Sequence, residues 1–249
     1  MSLPLYGTEA FREACGETLR PGGLELTRYG LDLMAEAGLA QGGLVLDAGC
    51  GTGASARELS GKGFGAVGID WHPGQLDAGS PGGPFHLVQG DFMRLPFKDS
   101  VFDGALAECT LSLAPDLAVA LAGIARVLKP GGLLLVQDLV LRTNRPQPVP
   151  DAGAASPYLA RGGSCLAGAL TLADWGLALA DAGFDVLHRE DVSHALAVFM
   201  AKLVWYDLAD ELSWLLPKSA DRGAGACAPC ANEVRKRYGY GLFLARKRH

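Results

Sequence analysis

The sequence predicts a doubly wound α/β fold with a mostly parallel sheet. Three observations carry that reading. Short apolar runs alternate with helical patterns from residue 44 to residue 141. Glycine stops or a Pro-Gly-Gly close the helical stretches. A glycine-rich turn, "LDAGCGTGAS", follows the first run and opens a helix. Strands alternating with helices place helices on both faces of a parallel sheet.

The elements follow in order. Before residue 40, "GTEAFREACGETL" and "LELTRYGLDLMAEAGL" read as helices, the second with Leu26, Tyr29, Leu33 and Met34 at helical spacing. "LVLDAG" is a buried strand, and "TGASARELSGKG" is a helix with a glycine stop. "GAVGID", "FHLVQGD" and "VFDGALAEC" are the next three strands, with a short helix in "HPGQLDAG". "DLAVALAGIARVLKPGG" is a helix, and "LLLVQDLVL" is the fifth strand. Residues 142–165 break the rhythm with prolines, glycines and small residues, so they read as a long loop, and loops of that kind are commonly lids. "TLADWGLALADAGFDVLHRED" restores a helix and a strand. An amphipathic helix then carries Leu196, Phe199, Met200, Leu203, Val204, Leu208, Leu212 and Leu215, and "YGYGLFLAR" is the last strand.

Composition bounds the function. The chain has 249 residues, 49% hydrophobic and 20% charged, which suits one large domain. A net charge of -5 gives no global field for nucleic acid. The basic end, "RKRYGYGLFLARKRH", reads as a solvated strand flanked by charges. No apolar run is long enough to span a bilayer and no signal run opens the chain, which predicts a cytoplasmic protein without a membrane partner. Six cysteines in such a compartment are ligands or core filler rather than disulfides.

The glycine turn selects the cofactor through charge. Gly49, Gly51 and Gly53 let the backbone approach a ligand, and Gly49, Gly51 and Ala54 with Asp70 also fit a dinucleotide pattern. A dinucleotide would place an anionic pyrophosphate here. Residues 44–56 hold no Lys or Arg and do hold Asp47. The sulfonium and ammonium of S-adenosylmethionine suit an acidic turn, so that cofactor is expected.

Taken together, "LDAGCGTG", "GID", "GDFMRLPF", "FDGALAECTLSL" and "ARVLKPGGLLLVQD" resemble the class I S-adenosylmethionine-dependent methyltransferases over about residues 40–140 and the closing strand. The resemblance implies a Rossmann-like sheet of seven strands with the last antiparallel, and an enzyme acting on a small-molecule acceptor. It implies that Asp47, Gly49, Gly51 and Gly53 wrap the methionine end and that Asp70 holds the ribose hydroxyls. It places Trp71, Asp91 and Phe92 about the adenine, and Glu108 at the end of strand four facing the methyl. The whole chain, 1–249, is then one domain. Residues 1–40 are an N-terminal helical segment, 41–140 the cofactor core, 141–170 a lid loop and 190–235 a helical and cysteine-bearing insertion.

The acceptor is less constrained. The Asn/Asp-Pro-Pro-aromatic clamp of amino-methyltransferases is replaced by "AECTLSLAP". His72, His86, His188, His194 and His249 stand in no recognisable acid–base pairing, so no catalytic residue is assigned. "GGSCLAGALTLADWGLALADAGFDVL" resembles the arsenite methyltransferases. That resemblance implies Cys165, with Cys227 or Cys230 of "GAGACAPCANE", as thiolate ligands of trivalent arsenic. The approach to strand one, "AQGGL", lacks the cysteine usual there. Zinc, loop filler and a metalloid site remain open for Cys227 and Cys230. Cys50 and Cys109 read as packing. A quinone-like acceptor and a non-catalytic S-adenosylmethionine-binding module are the alternatives.

Overall fold

The computed structural model describes residues 20–78, 85–142, 165–206 and 236–249, with Glu13, Gly16, Thr18 and Leu208 besides. The proposed lid is therefore largely outside the described residues, as are Cys15, Cys227 and Cys230.

One sheet organises the chain. Its strands are β1 (Leu44–Ala48), β2 (Gly65–Asp70), β3 (Phe85–Gln89), β4 (Phe102–Glu108), β5 (Leu128–Leu141), β6 (Leu170–Thr171), β7 (Phe184–Asp191) and β8 (Tyr238–Lys247). The order is β3-β2-β1-β4-β5-β8-β7. β8 runs antiparallel to both β5 and β7, and the remaining pairs are parallel. The seven expected strands are present with the last antiparallel. An eighth, β6, is two residues long and pairs with Val140 and Leu141 beyond the end of β4.

Helices cover both faces. On one side α1 (Gly23–Glu36) and α2 (Ala54–Gly61) bury Leu31, Met34, Ala56 and Leu59 against Val45, Leu106, Leu135 and Leu244. On the other, α4 (Leu117–Val127) and α5 (Leu172–Asp181) bury Leu121, Ile124, Trp175 and Leu179 against Leu46, Ala105, Leu134 and Phe243. The short α3 (Pro73–Ala78) follows β2, and α6 (Ser193–Trp205) lies against β8. Asp116 and Thr171 cap α4 and α5 by accepting from Val119 and Asp174.

Two readings shift. Helix α4 ends at Val127, and Leu128–Gly132 already belong to β5. Pro130 has no N–H for a helical bond, so the strand starts before the Pro-Gly-Gly rather than after it. In α1 the buried face is Thr27, Gly30, Leu31 and Met34. Tyr29 is half-exposed and donates to Glu190 at 2.8 Å. A polar residue, Thr27, takes the inward position because a buried carboxylate waits there.

Candidate active site

The chain runs outward from β1 to β2 and β3, then returns to β4 on the other side of β1. That reversal opens a crevice at the C-terminal ends of β1 and β4, where open α/β sheets bind ligands. The glycine turn occupies it. Gly49 and Cys50 donate to Ile69 O at 2.8 and 3.1 Å, which stitches the turn to β2. Gly49 has φ 80°, and a Cβ there would lie 2.4 Å from Thr110 Oγ1. Only glycine fits this close passage over the end of β4. A Cβ on Gly51 would meet nothing within 4 Å, so that part of the turn faces open space.

Asp70 ends β2 and is already engaged. Its Oδ2 accepts from Gly51 N and its Oδ1 from His72 N, both at 2.9 Å. Each carboxylate oxygen has further lone-pair capacity for a ribose hydroxyl. Asp91 caps the 3-10 turn Phe92–Arg94 through Oδ1 to Met93 N at 2.8 Å. Phe92 points into the core, so only its backbone can border an adenine. Trp71 is 47% exposed and stands edge-on to His72.

Glu108 holds a network that sequence reading missed. Its Oε1 accepts from Thr27 Oγ1 at 2.9 Å, and its Oε2 accepts from Ser55 Oγ at 2.6 Å and pairs with Arg20 Nη2 at 2.8 Å. Arg20 also donates to Thr27 and Ser55. Both Glu108 oxygens are thereby engaged by the protein's own groups, with Arg20 the nearest cation. Beside it, Asp47 takes a backbone bond from Ala56, and burial, with the negative Glu108 nearby, pushes its carboxyl up to about 8.

Two buried atoms here have no hydrogen-bond partner: Asp47 Oδ2 and Arg20 Nε. An orphaned acceptor and an orphaned donor, of opposite charge type, fit a zwitterion such as the amino-acid end of S-adenosylmethionine. Asp47, the glycine turn, Arg20, Asp70 and Asp91 would hold that cofactor.

Across β4 the surroundings become apolar. Leu139, Cys165, Leu166, Leu196, Met200, Leu203, Tyr238 and Tyr240 form one cluster with Cys109 against it. Cys165 opens the 3-10 turn Cys165–Gly168 and is buried. Cys109 packs against the same cluster from the end of β4, in keeping with its reading as packing. A cavity of ≈ 480 Å³ lined by Arg142, Ser193, His194, Leu196, Lys236 and Tyr238 lies beyond the end of β5. Among the described residues no three His, Cys, Asp or Glu side chains are grouped to hold a metal ion. No described helix is long and apolar enough to cross a membrane.

Comparison with known proteins agrees with this geometry. Residues 46–136 match the family described as Methyltransferase domain. The chain is 39% identical over 162 residues to the O-methyltransferase cnsE of Penicillium expansum, covering 61% of this chain and 56% of that protein. It is 46% identical over 92 residues to the demethylmenaquinone methyltransferase of Corynebacterium kroppenstedtii, covering 37% and 40%. The chain thus spans roughly two fifths to three fifths of these relatives' lengths. Among solved structures, the [4+2]-cyclase SpnF superposes with a TM-score of 0.74 at 24% identity, covering 98% of this chain and 93% of that one. The fold is Rossmann-like, and within it residues 46–136 are similar to a methyltransferase domain.

Proposed function

We propose that the protein transfers a methyl group from S-adenosylmethionine to a small, largely apolar acceptor entering at the ends of β4 and β5. The observation that carries the reading is the pair of buried partnerless atoms, Asp47 Oδ2 and Arg20 Nε, beside a glycine turn free of cationic side chains in residues 44–56. The bound cofactor supplies an electrophilic methyl carbon. The chain's part is positioning: Asp47 and Arg20 fix the amino-acid end, Asp70 the ribose, and the apolar cluster excludes water from the acceptor side. Holding two reactants in near-attack geometry is by itself a large share of such a rate enhancement. The names of the relatives, an O-methyltransferase and a demethylmenaquinone methyltransferase, support an organic acceptor such as a phenol or quinol.

A second reading, a thiol-bound metalloid such as trivalent arsenic, keeps one observation in its favour. Cys165 belongs to the apolar cluster on the acceptor side, and Cys109 packs against that cluster. Cys227 and Cys230, expected to add ligands, lie outside the described residues.

The test is methyl incorporation from labelled S-adenosylmethionine into quinols, phenols, thiols and arsenite. Transfer to quinols or phenols supports the first reading, and transfer to arsenite alone supports the second. Cofactor binding without transfer to any acceptor would return the domain to a binding module or to another chemistry, as the fold neighbour named a cyclase illustrates. Asp70→Ala tests the cofactor half independently. Two charge-assisted bonds at ~1.5 kcal/mol or more each would be lost, so affinity should fall about a hundredfold by calorimetry. Wild-type affinity in that variant would remove Asp70 from the site.

A further inference from the structure

The end of β5 and the start of β8 carry a cationic cavity that the cofactor site leaves unused. The two strands are antiparallel, and beyond their last pair, Leu141 with Tyr238, Arg142 N still donates to Arg237 O at 2.8 Å. Arg142 and the residues just before β8 are thereby held side by side. The first turn of α6 forms a third wall. Val192 N donates to Tyr240 O at 2.9 Å, and Ser193 Oγ accepts from Tyr240 N at 3.1 Å. Gly239 sits where these elements meet. A Cβ there would clash with Ser193 Oγ and lie 3.2 Å from Arg142 Nε, so the arginine side chain crosses over the glycine toward α6.

The cavity so enclosed is the one of ≈ 480 Å³. Arg142, Lys236 and His194 line it and are exposed to solvent, and no Asp or Glu is among its described lining residues. Asp191, which precedes α6, is turned to Ser193, accepting from its N–H at 2.9 Å and from its hydroxyl. Leu196 and Tyr238 also face the cavity, and both belong to the buried cluster on the acceptor side. One part of the lining is therefore cationic and another is continuous with the apolar cluster.

We infer that this cavity is a subsite for an anionic group, a carboxylate or a phosphate, on an amphipathic ligand whose apolar body lies along Leu196 and Tyr238. Arg142 supplies a planar donor fork suited to either anion, Lys236 a compact positive charge, and His194 a ring nitrogen. On the methyl-transfer reading above, on which this step rests, the ligand is the acceptor. β5 last pairs with β4 at Gln137 and continues through Leu141, four residues further. At the rise of a strand, the cavity lies about 13 Å beyond the end of β4. The acceptor is accordingly elongated, with its anionic group remote from the atom that takes the methyl.

The experiment is calorimetry on the full chain without cofactor, using octanoate, octyl phosphate, octanol and inorganic phosphate as probes. No transfer is read, so the outcome is independent of the methyl-transfer reading. Octanoate or octyl phosphate should bind at least about tenfold more tightly than octanol, and the preferred one identifies the anion. Octyl phosphate should also bind more tightly than inorganic phosphate, and added salt should erode the preference over octanol. Arg142→Ala and Lys236→Ala should each weaken binding of the anionic probe about fivefold, and Lys236→Arg should retain it. Arg142→Glu should remove the preference over octanol. Equal affinity for octanol and both anions would overturn the proposal, as would undetectable binding of either anion at millimolar concentration. So would unchanged anion binding in Arg142→Glu, or inorganic phosphate binding as tightly as octyl phosphate. In the transfer assay, Arg142→Ala should raise KM for an anionic acceptor far more than it lowers kcat. A KM indifferent to that substitution would overturn the assignment of the ligand as the acceptor.

Discussion

The two sides of β4 are built by different physics. Toward β1, the site is a polar enclosure in which carboxylates, a guanidinium, two hydroxyls and backbone N–H groups hold one another in place. Toward β5 and α6, it is a cluster of leucines, a methionine, two tyrosines and two thiols, with few directional bonds. The first kind of environment specifies a ligand through charge and geometry, and it tolerates little change. The second excludes water and accommodates shape, and it tolerates volume-conserving change well. A cofactor that never varies suits the first, and an acceptor that differs among relatives suits the second.

The sharpest way to break this contrast is Glu108→Gln. The substitution leaves the Arg20 guanidinium buried without its carboxylate, and removing one partner of a buried pair costs about 3–5 kcal/mol. Calorimetric unfolding should therefore show a Tm lower by roughly 10 °C for a chain of this size. Combining Arg20→Met with Glu108→Leu should recover much of that stability without recovering cofactor affinity. An unchanged Tm in Glu108→Gln would mean that the polar side is no more rigidly specified than the apolar one.

The apolar side should give the opposite result. Met200 is buried on α6 among Leu196, Leu203 and Tyr240. Met200→Leu keeps the volume and should cost less than about 1.5 kcal/mol in denaturant unfolding. S-adenosylmethionine affinity should be unchanged, and any effect should fall on the choice among acceptors. A loss of cofactor affinity would show that the two sides are not separable.

The same division governs what the sequence discloses. The glycine turn, Asp70 and Asp91 sit within one stretch of fewer than fifty residues, each at a strand end, so spacing alone places them. Strands β1, β2 and β4 are legible for the same reason. Arg20 is not, because nothing in its neighbourhood marks it as the partner of a carboxylate on β4. Thr27 and Ser55 join that network from two different helices, and Thr27 in particular breaks the apolar face that helical spacing selects in α1. The close approach of Gly168, in the turn Cys165–Gly168, to Ser112 beyond β4 depends on a register between two turns, which no local pattern encodes. β6 escapes notice because two residues carry no periodicity.

The smallest expected effect concerns one proton. Burial and the neighbouring Glu108 hold the Asp47 carboxyl at about 8 in the ligand-free protein, against an ordinary value near 4. The sign follows from where the proton sits. Between those two values the unfolded chain has lost the Asp47 proton while the folded chain keeps it. This residue therefore lowers folding stability as pH rises through that window, and the trend levels off above about 8. Binding a cationic ammonium against Oδ2 favours the ionised form and reverses the preference. At pH 7 the carboxyl is still mostly protonated, so cofactor binding should release close to one proton, measured by calorimetry in buffers of different ionisation enthalpy. Affinity should rise about fivefold between pH 7 and pH 8 as that cost disappears. Asp47→Asn should bind more weakly and release almost no proton. Equal proton release in wild type and variant would show that the cofactor's charge is met elsewhere, and the polar side of β4 would then owe its specificity to Arg20 and Asp70 alone.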